Sequence, residues 1–170
     1  MSHSGVVAGL YAGNFAVEIS TNLTTWTAVS SMMVKVDDVE LSRPSGEAFV
    51  GGSSDHATIT VGKCEPVEIT LTFLYFESAN SASNIVYNQF QSADPLLAVR
   101  WSPRGLIGGA RAYGTSNDGG TTLGLGVITS LTLSAIDPSD AEPYVGMATV
   151  RTPSLRRYFL VANPTDLTPL

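Results

Sequence analysis

After Pro66, apolar side chains fall on every second residue. Val67, Ile69, Leu71, Phe73 and Tyr75 alternate with Glu68, Thr70, Thr72 and Leu74. A period of two is the repeat of an extended strand, whose successive side chains point to opposite faces, so this stretch is half-buried β structure and not helix. Phe15, Val17 and Ile19 repeat the pattern against Ala16, Glu18 and Ser20, as do Ala57, Ile59 and Val61 against Thr58 and Thr60. Between residues 32 and 41 the phase breaks: Val34 and Val36 keep one phase, Val39 and Leu41 the other. Asp37 and Asp38 sit at the break, where a bulge would return the apolar residues to one side. Strand-forming residues also fill 24–29, 96–101, 127–136 and 144–151, with 156–161 as an edge strand.

One segment reads as a helix. Ala82, Ile85, Val86, Phe90 and Ala93 recur at helical spacing over 81–93, with Asn80, Ser81 or Ser83 to cap it and Asp94-Pro95 to end it. Residues 42–56 form a long Gly/Ser/Pro-rich loop, and 108–126 is Gly-rich, read as a hairpin with its tip at 117–120. No internal repeat or linker divides the chain. The fold class is mainly β: a sandwich or open barrel with one flanking α-helix, a single domain over 1–162 with an irregular tail at 163–170.

Several function classes fall away on composition. Only 14% of the residues are charged while 44% are hydrophobic, which excludes disorder and suggests a surface partly covered by partners. A monomer with a Ser/Thr-rich surface remains the plainer alternative. The formal net charge of −6 and the lack of any basic run argue against affinity for a nucleic-acid backbone. Cys64 is the single cysteine, so neither an intrachain disulfide nor a cysteine metal framework is expected. No apolar run reaches transmembrane length and the first residues lack a secretory pattern, so synthesis and folding in cytoplasm with no membrane partner are expected.

Catalytic and metal signatures are missing as well. His3 lies at the terminus, leaving His56 as the one imidazole with a conceivable role beside Asp55 or Cys64. No nucleophile motif accompanies it, and a polar loop residue is the simpler reading. Asp37, Asp38 and Glu40 fail the calcium-loop spacing and lie in a strand pattern, so no metal and no cofactor is expected. Gly119, Gly120, Gly124 and Gly126 precede a strand instead of opening a helix, which excludes a phosphate loop. Trp26 and Trp101 read as core or interface residues before a sugar-stacking platform. Glu18, Asp37, Asp38, Glu40, Glu65 and Glu68 lie on or beside three strands, answered there only by Lys35 and Lys63. They read equally as one acidic sheet face or as ordinary solubility.

The stretch from His56 to Glu77, with its Gly62-Lys63 turn and Glu65-Pro66 leading into the long alternating strand, resembles the middle of phage tail tube (major tail) proteins of the long non-contractile type. The helix at 81–93, the phrase Leu97-Ala-Val-Arg-Trp-Ser-Pro-Arg-Gly105 and two closing strands that end near Arg151-Thr-Pro153 are also similar, so the likeness spans roughly 30–152. It implies a virion structural protein of the tail. Six copies close into a ring, each lending strands to one inner barrel shared between subunits, and rings stack into a tube through which DNA passes without specific binding. Tail terminator, tail tip or initiator, and tape-measure proteins are the implied partners beside the homo-oligomer. The resemblance makes Glu18, Asp37, Asp38, Glu40 and Glu68 the lumen candidates. Arg43, Pro44, Glu47, Phe49 and Val50 become the contacts of an arm reaching a neighbouring subunit or ring. Rival readings are the tube of a contractile tail, bacteriocin or secretion machine, then a capsid-decorating or sugar-binding β-sandwich, and last an enzyme.

Overall fold

The alternation in the sequence becomes strands in order: β1 (Ala16–Ser20), β2 (Thr27–Ala28), β3 (Lys35–Val36), β4 (Ser45–Phe49), β5 (Thr58–Val61) and β6 (Val67–Leu74). The helix α1 (Ala82–Phe90) follows, then β7 (Leu96–Ser102), β8 (Arg111–Ser116), β9 (Gly126–Leu133), β10 (Val145–Thr152) and β11 (Ser154–Phe159). The computed structural model describes residues 15–29, 35–37, 39–49, 58–75, 78–105, 108–134, 139 and 144–161. Among these, one antiparallel sheet runs β11-β8-β7-β9-β10-β6-β3, with β1 on β7 and β2 on β1, while β4 and β5 pair apart from it.

β7 holds the layers together. Its start pairs with β9 (Leu96↔Val127), its end with β8 (Trp101↔Tyr113), and its length with β1 (Ala16↔Ser102 to Ser20↔Ala98). A strand so surrounded has no wet face, and every residue from Leu97 to Ser102 is buried. β6 keeps the expected alternation, burying Val67, Ile69, Leu71 and Phe73 while Glu68 stays exposed. These side chains meet Val17, Ile19, Val99, Ile128, Val150 and Val86 of the helix in one core. Full burial of such a side chain contributes about 1.5–3 kcal/mol, so this layer contact dominates the stability. A smaller cluster of Ala110, Ala112, Tyr158 and Leu160 lies under β8 and β11.

Local chemistry sets the element ends. Ser81 caps α1, its Oγ accepting from Asn84 N–H at 3.3 Å. The helix stops at Phe90, short of the expected Ala93, because Ser92 Oγ donates to Gln89 O and Asp94 O and draws the chain into a turn. The expected strand over 24–29 shrinks to β2. Asn22 Oδ1 accepts from Thr24 N–H and Thr25 N–H, and Leu23 takes a positive φ of 64°, which holds the preceding residues in a tight loop. The hairpin expected within 108–126 is absent: β8 pairs with β7 and β11, and β9 with β10 and β7. β11 is the expected edge strand, beginning two residues earlier. The sheet is an open, mainly antiparallel β structure with one helix and not a closed barrel, in line with the sandwich or open-barrel expectation.

Candidate functional site

An open sheet offers three kinds of surface: unpaired edges, an uncovered face and strand pairs set apart from it. All are present among the described residues. β3 pairs only with β6 and β11 only with β8, so both ends of the sheet path carry unpaired backbone groups. Between these ends lies a groove of about 710 Å³ lined by Phe15, Val36, Val39, Leu41, Trp101, Tyr113 and Leu155, with Asp37 and Arg157 supplying its charges. Leu41 is 70% exposed there, an unusual position for a large apolar side chain. Trp101 stacks on Tyr113 with centroids 5.8 Å apart.

The uncovered face belongs to β6, β10 and β9. Glu68, Thr70 and Thr72 stand opposite Arg151, Thr149 and Met147 in register. Thr70 and Thr149 share a hydroxyl hydrogen bond of 3.1 Å. On β9, Thr129 is the extra residue of a bulge where the register shifts beside Thr149, and its hydroxyl donates to Thr149 O. Val127 and Met147 add exposed apolar spots. The described part of this face is therefore rich in hydroxyls, and its acid, Glu68, faces a base across the strands.

Of the expected lumen acids, Glu68 lies on this face and Glu18 does not. Glu18 is buried: Arg100 Nε donates to its Oε2 at 2.8 Å and Arg100 Nη2 lies 2.6 Å away. Trp26 covers the guanidinium at 3.8 Å. Glu18 therefore does not stand on a wet strand face as its alternation suggested. β1 is clamped between β2 and β7, and a charge on it survives burial only with its partner. Asp37 is half-buried on the groove, its N–H donating to Thr70 O at 3.0 Å. Glu40 is exposed beyond β3, and Asp38 lies outside the described residues.

The long loop expected at 42–56 is in part a strand. β4 and β5 form an antiparallel pair, with Phe49 opposite Thr58 and Ser45 opposite Val61, a two-stranded sheet separate from the main one. Its base is fastened by Gly62 N–H to Pro44 O and Glu65 N–H to Ser42 O, both 2.9 Å. A Cβ at position 62 would fall 2.2 Å from Pro44 O, so glycine is required there. Arg43 donates from Nε and Nη2 to Cys64 Sγ at 3.1 and 2.8 Å. Glu47 and Phe49 lie on β4, while Val50, Asp55 and His56 lie outside the described residues.

Two features escaped the sequence reading. The single arginine inside Leu96-Leu-Ala-Val-Arg-Trp was the available signal for a buried ion pair. The second is the loop after β8. Asp118 accepts from the Thr122 hydroxyl at 2.6 Å, Thr122 N–H at 2.9 Å, the Ser116 hydroxyl and Thr121 N–H. Those bonds, the Thr122 hydroxyl foremost, hold its carboxyl well below the usual carboxylate range. Gly119 and Gly120 take positive φ to close the turn. No helix among the described residues is long and apolar enough to cross a membrane.

The chain matches no protein-family profile and no curated protein sequence. Its architecture does have close counterparts. A chain in the extended sheath–tube complex of an extracellular contractile injection system (PVC) superposes with a TM-score of 0.61 at 15% identity, covering 94% of this chain and 99% of that one. A chain in the tube-terminating cap of the anti-feeding prophage gives 0.61 at 14%, over the same shares. One in that prophage's baseplate gives 0.62 at 8%, over 86% and 93%. These counterparts come from contractile machines and not from the long non-contractile tails that the sequence resemblance points to. The fold is the tail-tube-like fold of phage-derived injection particles, present here over nearly the whole chain.

Proposed function

We propose that this chain is the repeating subunit of a tail tube: copies close into a ring of six, and rings stack into a hollow conduit. The observation that carries the reading is the tail-tube-like fold over 94% of the chain, with both ends of its sheet path unpaired among the described residues. Unpaired edges are an aggregation hazard in a monomer, and a ring relieves it by joining the edge of one copy to that of the next. The β4–β5 pair is the arm that reaches a neighbour, and the apolar groove beside β3 and β11 is covered in the assembly. The β6–β10–β9 face is the candidate lining. With Glu68 set against Arg151 and hydroxyls elsewhere, such a wall lets a cargo slide by offering weak contacts, where the acidic wall first expected would act by repulsion.

The machine is a contractile one under this reading, with a sheath, a terminator and a baseplate as partners, and the role is structural with no catalytic step. The structural counterparts in injection systems support it. Negative-stain microscopy of the purified chain across a concentration series tests the proposal. Hollow rings or tubes of one diameter are expected. Discrete monomers at every concentration, together with absence of the chain from tails of intact particles, would overturn it. A sheath around those tails decides for the contractile machine.

A further inference from the structure

The β8–β9 connection holds one chemically labile step of the backbone. Asp118-Gly119 is the only Asp-Gly pair in the sequence, and no Asn-Gly pair occurs. In an unconstrained chain the nitrogen after an aspartate attacks the side-chain Cγ. An N–Cγ bond forms, the acid's hydroxyl leaves as water with the amide proton, and a succinimide ring closes. Water then opens the ring at one of its carbonyls and returns either aspartate or isoaspartate, whose backbone is one methylene longer. Glycine is the most permissive residue in the attacking position, because no Cβ shields its nitrogen. The reaction also needs a free, protonated carboxyl group, since an ionised one has no good leaving group.

The turn withholds that group. Asp118 Oδ1 accepts from Thr121 N–H at 3.0 Å, Thr122 N–H at 2.9 Å and the Ser116 hydroxyl at 2.8 Å, while Oδ2 accepts from the Thr122 hydroxyl at 2.6 Å. Such donors favour the ionised carboxylate, and they anchor its oxygens to residues 116, 121 and 122, none of which is the attacking one. Gly120 N–H donates to the same Ser116 hydroxyl at 3.0 Å, and Gly119 and Gly120 hold positive φ of 76° and 94°. Gly119 itself is exposed, and a Cβ built there would meet nothing within 4 Å, so water has open access to the step. The grip on the carboxylate, and not burial, separates this step from reaction.

We propose that Asp118-Gly119 is a latent isoaspartate site, held dormant by the hydrogen bonds of Thr122, Thr121 and Ser116 and opened when the turn is released. Every contact involved lies within one copy, so this chemistry is independent of the tube reading. Its consequence reaches beyond the turn. Ser116 O accepts from the Thr152 hydroxyl at 2.9 Å and the Ser154 hydroxyl at 3.1 Å, which fastens the turn to the corner where β10 passes into β11. An added methylene at position 118 lengthens the path between Ser116 and Gly120 and pulls on that corner.

The test follows isoaspartate at position 118 by peptide mapping and mass spectrometry during incubation at neutral pH. The folded chain, the same chain in urea and a synthetic peptide spanning 114–124 are compared. The unfolded chain and the peptide should convert at similar rates. The folded chain should convert at least ~10-fold more slowly, because attack requires the nitrogen and Cγ in a reactive alignment that the turn denies them. Thr122→Val, verified as folded by circular dichroism, should raise the folded rate roughly fivefold through the lost hydroxyl bond, while Thr122→Ser, which keeps the hydroxyl, should not. A folded chain that converts as fast as the unfolded one would overturn the inference. So would a folded Thr122→Val that converts no faster than wild type, or a chain that fails to convert even in urea. Should Thr122→Val not fold, the wild-type comparison between buffer and urea decides by itself.

Discussion

Removing the Glu18 carboxylate while leaving Arg100 in place should be among the most damaging single changes outside the apolar core. Arg100 is 3% exposed, and two of its nitrogens lie within 2.8 Å of one oxygen of Glu18. Unit charges about 4 Å apart interact by ~4 kcal/mol at an effective dielectric of 20. An arginine stripped of its counter-ion keeps the cost of leaving water and loses that attraction. Glu18→Gln should therefore cost about 3–5 kcal/mol. With a urea slope near 2 kcal/mol/M, the unfolding midpoint should fall by roughly 1.5–2.5 M. Trp26, stacked on the guanidinium, provides a fluorescence probe beside Trp101. Glu18→Leu with Arg100→Met removes both charges and should recover to within about 1 kcal/mol of wild type, because an apolar pair needs no compensation. Two outcomes would refute the reasoning: a Glu18→Gln cost below about 1 kcal/mol, or a double variant as unstable as the sum of its singles.

Gly146 stands opposite Phe73, and a Cβ there would come within 2.6 Å of the ring, so Gly146→Ala should cost about 1–3 kcal/mol. Phe73→Leu in the same chain should return part of that loss, and strict additivity in urea unfolding would show that the ring is not the obstacle. Asp118 has its folded pKa depressed, so its contribution is fully present above the unfolded value near 4 and is lost as pH falls toward the folded value. The difference in Tm between wild type and Asp118→Ala should accordingly be constant above about pH 5 and shrink in stronger acid. A difference that grows on acidification would contradict the hydrogen-bonded carboxylate.

The fold class, the single helix and most strands were legible because they rest on local periodicity. β6 alternates along its whole length, since one of its faces is in the core and the other is not. Ser81 offered itself as a cap through side-chain chemistry that acts within one turn. The candidate surfaces were less legible. Alternation marks two faces of a strand without saying which is wet, and β1, covered on both sides, buries Glu18 and Ile19 alike. The 42–56 segment looked like a loop because Gly, Ser and Pro dominate it. Pairing with β5, a contact distant in sequence, makes part of it a strand.

By itself the sequence determined a mainly β fold, one capped helix, a low share of charged residues and a net acidity, because these depend on composition and on neighbours a few residues apart. Only the tertiary structure decided which acid is a core ion pair and which strands stand at open edges. Each of those depends on strand order. Glu18 and Arg100, or Arg111 and Phe159, become neighbours only when strands far apart in the chain lie side by side.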